Sequence, residues 1–135
     1  MNHSYSLLIH KSFKELVNQV IRNYPKSQQQ LITNQIKTAL QKISSDPFSQ
    51  KPLRDIIHRK LIGIIRRVYV GGNKGHRLFY ICIQKESYVL PTFISKEIRQ
   101  DFNYDDISWQ NIANAIYDDY LNLRYEAFVN WKASQ

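Results

Sequence analysis

The sequence predicts one α+β domain in which two N-terminal helices pack on one face of a small antiparallel β-sheet and a long helix follows. Apolar residues recur at helical spacing before residue 46, alternate across strand-like segments between residues 61 and 94, and return to helical spacing after residue 107. The chain has 135 residues, the length of a single domain, and 43% of them are hydrophobic. We therefore predict a single domain over 1–135, with a core over about 5–104 and a C-terminal helical extension over about 105–135.

The N-terminal half contains the first strand and the two helices. Residues 5–9 form a short apolar run that predicts a strand. Ser12 and Glu15 match a capping box at the start of a helix, and Pro25 ends that helix. A second helix ends at Asp46, before a proline. The apolar stripes of both helices are predicted to be core faces.

The middle of the chain predicts an antiparallel meander. Gly71–Gly75, with the sequence GGNKG, reads as a tight turn between two strands. Pro91 lacks an amide hydrogen, so we expect it at an edge, at a bulge or where no amide is needed. A short helical segment over 96–102 and a long helix over about 107–130 complete the predicted elements. The predicted strands cover residues 61–70, 76–83 and 87–94.

Charge is distributed unevenly along the chain. The formal net charge is +8, and the segment from residue 97 to residue 126 is acidic. A dense run of basic residues extends into the predicted strands. It predicts a polyanionic partner, and RNA is the partner that we favour. The alternative is a pair of ordinary solvated faces. The basic run contains one acid, Asp55, and eight basic residues: Lys51, Arg54, Arg59, Lys60, Arg66, Arg67, Lys74 and Arg77.

Several classes of protein are disfavoured by the sequence. No apolar run approaches the roughly 18 residues that a membrane span requires. The N-terminus lacks the charged and apolar regions of a secretory signal, so we expect a cytoplasmic protein. Cys82 is the only cysteine, which rules out an intramolecular disulfide and a cysteine-rich metal site. Because phosphate-binding loops, dinucleotide fingerprints and metal-ligand spacings are also missing, we predict no cofactor, no metal and no membrane partner.

Arginines lie among apolar and aromatic residues in the predicted strands. Side chains alternate along a strand, so Arg67 shares a face with Tyr69, and Arg66 points to the other face. In the next strand Arg77 and His76 likewise point to opposite faces. The planar guanidinium fork of arginine binds two phosphate oxygens at once, which suits a phosphate ligand. An ordinary surface strand also tolerates such arginines.

The stretch IIRRVYVGGNKGHRLFYICIQKESYVLPTFIS resembles the central hairpins of the RelE/ParE superfamily, the toxins of bacterial type II toxin–antitoxin systems. The shared pattern is a basic strand, a glycine-containing turn, an Arg-Leu-x-Tyr strand (here GHRLFY), a second turn and an apolar strand. The preceding order of strand and two helices, and the stretch SSDPFSQKPL, also resemble the family. The resemblance covers roughly Tyr5 to Tyr104, and the long helix from Ile107 has no counterpart in the compact toxins.

The resemblance implies a microbial-RNase-like fold. RelE-like members enter the ribosomal A site and cleave mRNA without a metal, whereas ParE-like members poison DNA gyrase. Arg77 matches the arginine of the family's Arg-Leu-x-Tyr strand, and Arg66 and Arg67 match its preceding basic strand. Tyr104 lies where RelE-like enzymes carry a late tyrosine or histidine. After the apolar strand the family carries another basic residue, and two positions match it: Lys96 and Arg99.

Cleavage by an internal 2′-hydroxyl requires a base, a cationic clamp for the phosphorane and an acid for the 5′-oxygen. Arg66, Arg67 and Arg77 suit the clamp, and His76 or Tyr104 suits the base or acid. We therefore expect a RelE-like mRNA endoribonuclease whose partners are mRNA, the ribosome and a cognate antitoxin. Three alternatives stay open: a ParE-like gyrase inhibitor without nuclease activity, a non-catalytic RNA-binding module, and a degenerate toxin that retains the fold without the activity. The predicted RNA-binding residues outside the catalytic set are Lys51, Arg54, Arg59, Lys60 and Lys74.

Overall fold

The computed structural model describes residues 5–72, 75–98 and 101–131. These residues form an α+β fold with three helices and a five-stranded sheet. In the described part of the chain no helix is long and apolar enough to cross a membrane. In chain order the elements are β1 (Ser6–His10), α1 (Lys11–Arg22), α2 (Lys26–Ser45), β2 (Ile65–Val70), β3 (His76–Ile83), β4 (Tyr88–Ile98), α3 (Ser108–Leu121) and β5 (Phe128–Trp131).

The sheet has the strand order β2-β3-β4-β1-β5. The predicted antiparallel meander is confirmed, because β2 pairs with β3 and β3 pairs with β4 in antiparallel register. The prediction of a wholly antiparallel sheet is wrong, because β1 pairs with β4 in parallel. Parallel neighbours need a long connection, and the chain between β1 and β4 provides it through both N-terminal helices and a hairpin. The sheet is therefore mixed.

Helices cover both faces of this sheet. On one face the Tyr80 hydroxyl donates to the carbonyl of Pro47, just after α2. On the opposite face Phe79 stacks on Trp109 of α3, with ring centroids 4.2 Å apart. Because alternate residues of β3 point to opposite faces, the α1–α2 hairpin lies on one face and α3 on the other. We call these the hairpin face and the α3 face.

Two predicted strand boundaries differ from the structure by more than one residue. β2 begins at Ile65 and not at residue 61, because Gly63 has φ +79°, which ends regular extended backbone there. β4 continues to Ile98, which pairs with His76, so the predicted helix over 96–102 is wrong at residues 96–98. The register of β3 and β4 shifts beside Pro91. This confirms a bulge, which was one of the three settings expected for that proline.

The C-terminal region also departs from the prediction. α3 ends at Leu121, and Leu123 has φ +60°, a left-handed conformation that a helix cannot continue through. The chain then forms β5, which pairs antiparallel with β1, so the predicted helix is wrong beyond residue 121. Trp109 and Ile116 are buried, as expected for an apolar stripe that completes the core. The C-terminal extension is therefore part of the same core.

The start of α1 is capped by a histidine. The Nδ1 atom of His10 accepts the Ser12 backbone N–H at 2.9 Å, so the predicted Ser12 cap is wrong by two residues. The Nε2 atom of His10 lies 2.7 Å from Oδ2 of Asp119 in α3. The hydrogen bond from His10 lowers the pKa of the Asp119 carboxyl. This contact ties the first strand to the last helix.

Candidate functional site

Three predicted site residues, Arg67, Arg77 and Tyr104, meet on the α3 face. The register of β2 and β3 pairs Arg67 with Phe79 and Tyr69 with Arg77, which brings the two arginines to the same face. Arg77 Nε donates to the Tyr104 hydroxyl oxygen at 2.7 Å, and Arg67 Nη1 donates to the same oxygen at 2.5 Å. Two guanidinium groups therefore converge on one atom. We call Arg67 and Arg77 the arginine pair.

Aromatic rings surround the arginine pair. The guanidinium carbon of Arg77 lies 5.0 Å from the centroid of Phe102 and 4.9 Å from that of Tyr104. The guanidinium carbon of Arg67 lies 5.0 Å from the centroid of Tyr69. At such distances the negative faces of aromatic rings attract a cation. The rings hold both guanidinium groups in place without neutralising their charge.

No carboxylate compensates the arginine pair. All eleven acidic side chains belong to described residues, and none of them forms an ion pair with Arg67 or Arg77. Only 5% of Arg77 is exposed. Its Nη1 atom and the Nε atom of Arg67 are buried without a hydrogen-bond partner among the described residues. Buried charges are normally paired, so this cluster has the electrostatics of an anion site.

Two other predicted catalytic residues lie on the hairpin face. His76 is buried there; its Nδ1 lies 2.8 Å from the carbonyl oxygen of Ser95, and its Nε2 lies 2.6 Å from the hydroxyl of Tyr24. Arg66 donates from Nη1 to the carbonyl of Gln50. The structure therefore does not bring His76 or Arg66 together with the arginine pair. Both ring nitrogens of His76 are occupied in this arrangement.

The remaining predicted residues that the structure describes are exposed and lie apart from the arginine pair. Lys96 is exposed in β4. Lys60 forms an ion pair with Asp118 of α3 and so already has an anionic partner. Two predicted residues, Lys74 and Arg99, lie outside the described residues. The other predicted RNA-binding residues are exposed: Lys51, Arg54 and Arg59.

Sequence reasoning missed two residues that shape the site. Phe102 lies against Arg77 and stands perpendicular to Tyr104, with centroids 4.9 Å apart. Phe102 lies two residues before Tyr104, and this proximity could have marked it as a neighbour of the site. The predicted helix over 96–102 obscured that relation. Ser95 is fully buried, and its hydroxyl accepts the backbone N–H of Arg77 at 2.9 Å. Nothing in the sequence distinguishes this serine from others.

The fold and the site define an α+β protein with a cationic, aromatic-lined cluster and no counter-charge. Among the described residues, no group of three or more histidines, cysteines, aspartates and glutamates is arranged to hold a metal ion. No protein-family model, curated protein or solved structure matches the chain. The likeness to RelE/ParE toxins therefore rests on the sequence pattern of residues 64–95 and on the order of the elements before it.

Proposed function

We propose that this chain is a RelE-like toxin, a metal-independent endoribonuclease that cleaves mRNA on the ribosome and is neutralised by a cognate antitoxin. One observation carries the proposal: two arginines without a counter-charge converge on the hydroxyl of Tyr104. A phosphate oxygen supplies the negative charge that this cluster lacks. Such an activity belongs in the cytoplasm, where mRNA and ribosomes meet.

The proposed chemistry assigns a role to each of the three residues. The 2′-hydroxyl oxygen forms a bond to the adjacent phosphorus as its proton leaves, and the bond from phosphorus to the 5′-oxygen breaks as that oxygen takes up a proton. The products are a 2′,3′-cyclic phosphate and a 5′-hydroxyl. Arg67 and Arg77 stabilise the negative charge that builds on the phosphoryl oxygens. Tyr104 lies where both arginines donate, so its hydroxyl is the candidate for moving a proton to or from the ribose oxygens.

A second candidate, a non-catalytic RNA-binding module, is favoured by a different observation. His76, which was predicted as a base or an acid, lies on the opposite face with both ring nitrogens occupied. Arg77 is 5% exposed, which suits a held anion better than a substrate that must turn over. In this alternative the arginine pair binds a phosphate and no bond breaks.

A translation extract with EDTA-treated protein and a 5′-labelled mRNA tests the proposal. We expect cleavage within codons, dependent on ribosomes and insensitive to the chelator. Binding without cleavage supports the RNA-binding alternative instead. The same preparation, added to a gyrase supercoiling assay, tests the ParE-like alternative. Inhibited supercoiling with intact mRNA contradicts the nuclease proposal.

A further inference from the structure

We propose that Ser95 and His76 are positioning residues that fix the direction of Arg77, and that His76 does not act as base or acid. The inference rests on the proposed function only in taking Arg77 as a phosphate-binding residue. It is carried by the hydrogen bonds of Ser95 and His76 and by an irregularity in β4, neither of which the proposed chemistry uses.

The irregularity lies directly opposite Arg77. β3 advances two residues between His76 and Leu78, whereas their partners on β4, Ile98 and Ile94, are four residues apart. β4 therefore carries two extra residues, and the regular ladder is interrupted where the backbone of Arg77 needs a partner. An unpaired backbone amide at a buried residue costs free energy, so another group has to replace the missing acceptor.

Ser95 supplies that acceptor. Its hydroxyl oxygen accepts the Arg77 backbone N–H at 2.9 Å and donates to the carbonyl of Glu97 at 2.7 Å. A single buried side chain thus closes the bulge and holds the Arg77 backbone. The hydroxyl is well placed for this double role, because it both donates and accepts.

His76 holds the same bulge from the adjacent residue. A carbonyl oxygen only accepts, so His76 Nδ1, 2.8 Å from the Ser95 carbonyl, carries the proton and donates. In the neutral ring Nε2 then accepts from the Tyr24 hydroxyl 2.6 Å away. His76 therefore links β3 to the bulge of β4 and to Tyr24, which follows the end of α1.

These contacts determine where the guanidinium group of Arg77 lies. Neighbouring residues of a strand point to opposite faces, so a β3 backbone held by the Ser95 hydroxyl, with the His76 side chain fixed on the hairpin face, directs Arg77 to the α3 face. There Nε reaches Tyr104, and Nη1 has no hydrogen-bond partner within the described part of the chain. Small errors in the direction of a binding group weaken it, and buried support reduces those errors.

NMR of the full chain tests the role of Ser95. The Nε–Hε resonance of Arg77, assigned by its disappearance in Arg77→Lys, reports the bond to Tyr104. We expect Ser95→Ala to shift or broaden it and to weaken inorganic phosphate binding about tenfold, the scale of one hydrogen bond. Ser95→Thr keeps the hydroxyl and should restore both. Ser44→Ala is the matched control: Ser44 is also buried and its hydroxyl donates to the Tyr5 carbonyl.

The same resonance tests His76. Asparagine places an amide donor near the position of Nδ1, so His76→Asn should preserve the Arg77 resonance and phosphate binding, whereas His76→Leu should disturb both. An unchanged resonance in Ser95→Ala or in His76→Leu overturns the positioning role. If His76→Asn keeps phosphate binding and loses cleavage, His76 acts in the chemistry and the inference is wrong. If the wild type binds no phosphate, the proposed function fails, and the Arg77 resonance still decides the positioning role.

Discussion

Replacing Arg77 by methionine separates a functional arginine from a structural one. Methionine fills a similar volume and can cover Phe102, but it carries no charge. An arginine held in a buried ion pair leaves an unpaired charge behind when it is removed, at a cost of about 3–5 kcal/mol. Arg77 has no carboxylate partner among the residues that the structure describes, so Arg77→Met leaves no such charge.

The expected change in stability follows from opposing terms. The donor nitrogens of Arg67 and Arg77 lie 2.5 Å and 2.7 Å from the same hydroxyl oxygen, so they are at most about 5 Å apart. Two like charges at about that separation repel by about 3 kcal/mol at an effective dielectric constant near 20. Arg67 is only partly buried, and solvent screening reduces this relief to about 1 kcal/mol. The hydrogen bond to Tyr104 and the contacts with rings are lost, at about 1–2 kcal/mol together. We therefore expect the free energy of unfolding to change by no more than about 1 kcal/mol.

Activity should respond very differently. Loss of a charge contact that forms in the transition state slows cleavage about 100- to 1,000-fold. Arg77→Lys keeps the charge without the planar fork and should retain part of the activity. Urea denaturation and ribosome-dependent mRNA cleavage, measured on the same preparations, check both expectations. A loss of about 3 kcal/mol or more, with proportional loss of activity, would refute the reasoning, because it is the signature of a structural ion.

Three further predictions concern charge, packing and pH. Arg67→Gln should flatten the dependence of RNA affinity on salt by about 0.7 log units per log unit, the contribution of one single-strand phosphate contact, with Arg124→Gln as an exposed control. Trp109→Ala should lower the free energy of unfolding by about 3–5 kcal/mol in urea denaturation, because it removes a buried ring stacked on Phe79. His10 lowers the pKa of Asp119, so that carboxylate stabilises the fold above its ordinary pKa, and the stabilisation disappears as pH falls through the lowered value. Asp119→Asn should therefore flatten the acid limb of stability against pH; an unchanged limb contradicts the assignment.

Local pattern predicted the centre of the sheet well. β3 runs from His76 to Ile83 as predicted, because a glycine-rich turn and a polar turn bound an apolar run. The structure of the C-terminal region was harder to predict from the sequence. β5 depends on pairing with β1, more than a hundred residues earlier, and α3 ends beside Leu123 in a conformation rare for leucine. Neither feature has a local signal.

The candidate site shows the same division. Alternation predicted that Arg66 and Arg67 point to opposite faces, and the structure confirms it. Which of the two joins Arg77 depends on the register between β2 and β3, and the turn sequence alone did not determine that register. Tyr104 was singled out through a resemblance, but its position under both arginines depends on the packing of α3. The bulge at Ser95 had no sequence signal.

The positions of the acidic residues indicate that the fold, and not a shortage of acids in the sequence, leaves the charge of the arginine pair uncompensated. The chain carries eleven acids, and two that lie in α3 already pair with other basic side chains: Asp118 with Lys60, and Asp119 with Arg124. An acid beside Arg77 would relieve the repulsion and stabilise the protein, yet it would also occupy the place of a phosphate. Proteins commonly retain such unfavourable electrostatics where a ligand completes them. If Arg77→Met keeps the free energy of unfolding of the wild type, the charge of Arg77 does not stabilise the free protein and is available to bind an anion.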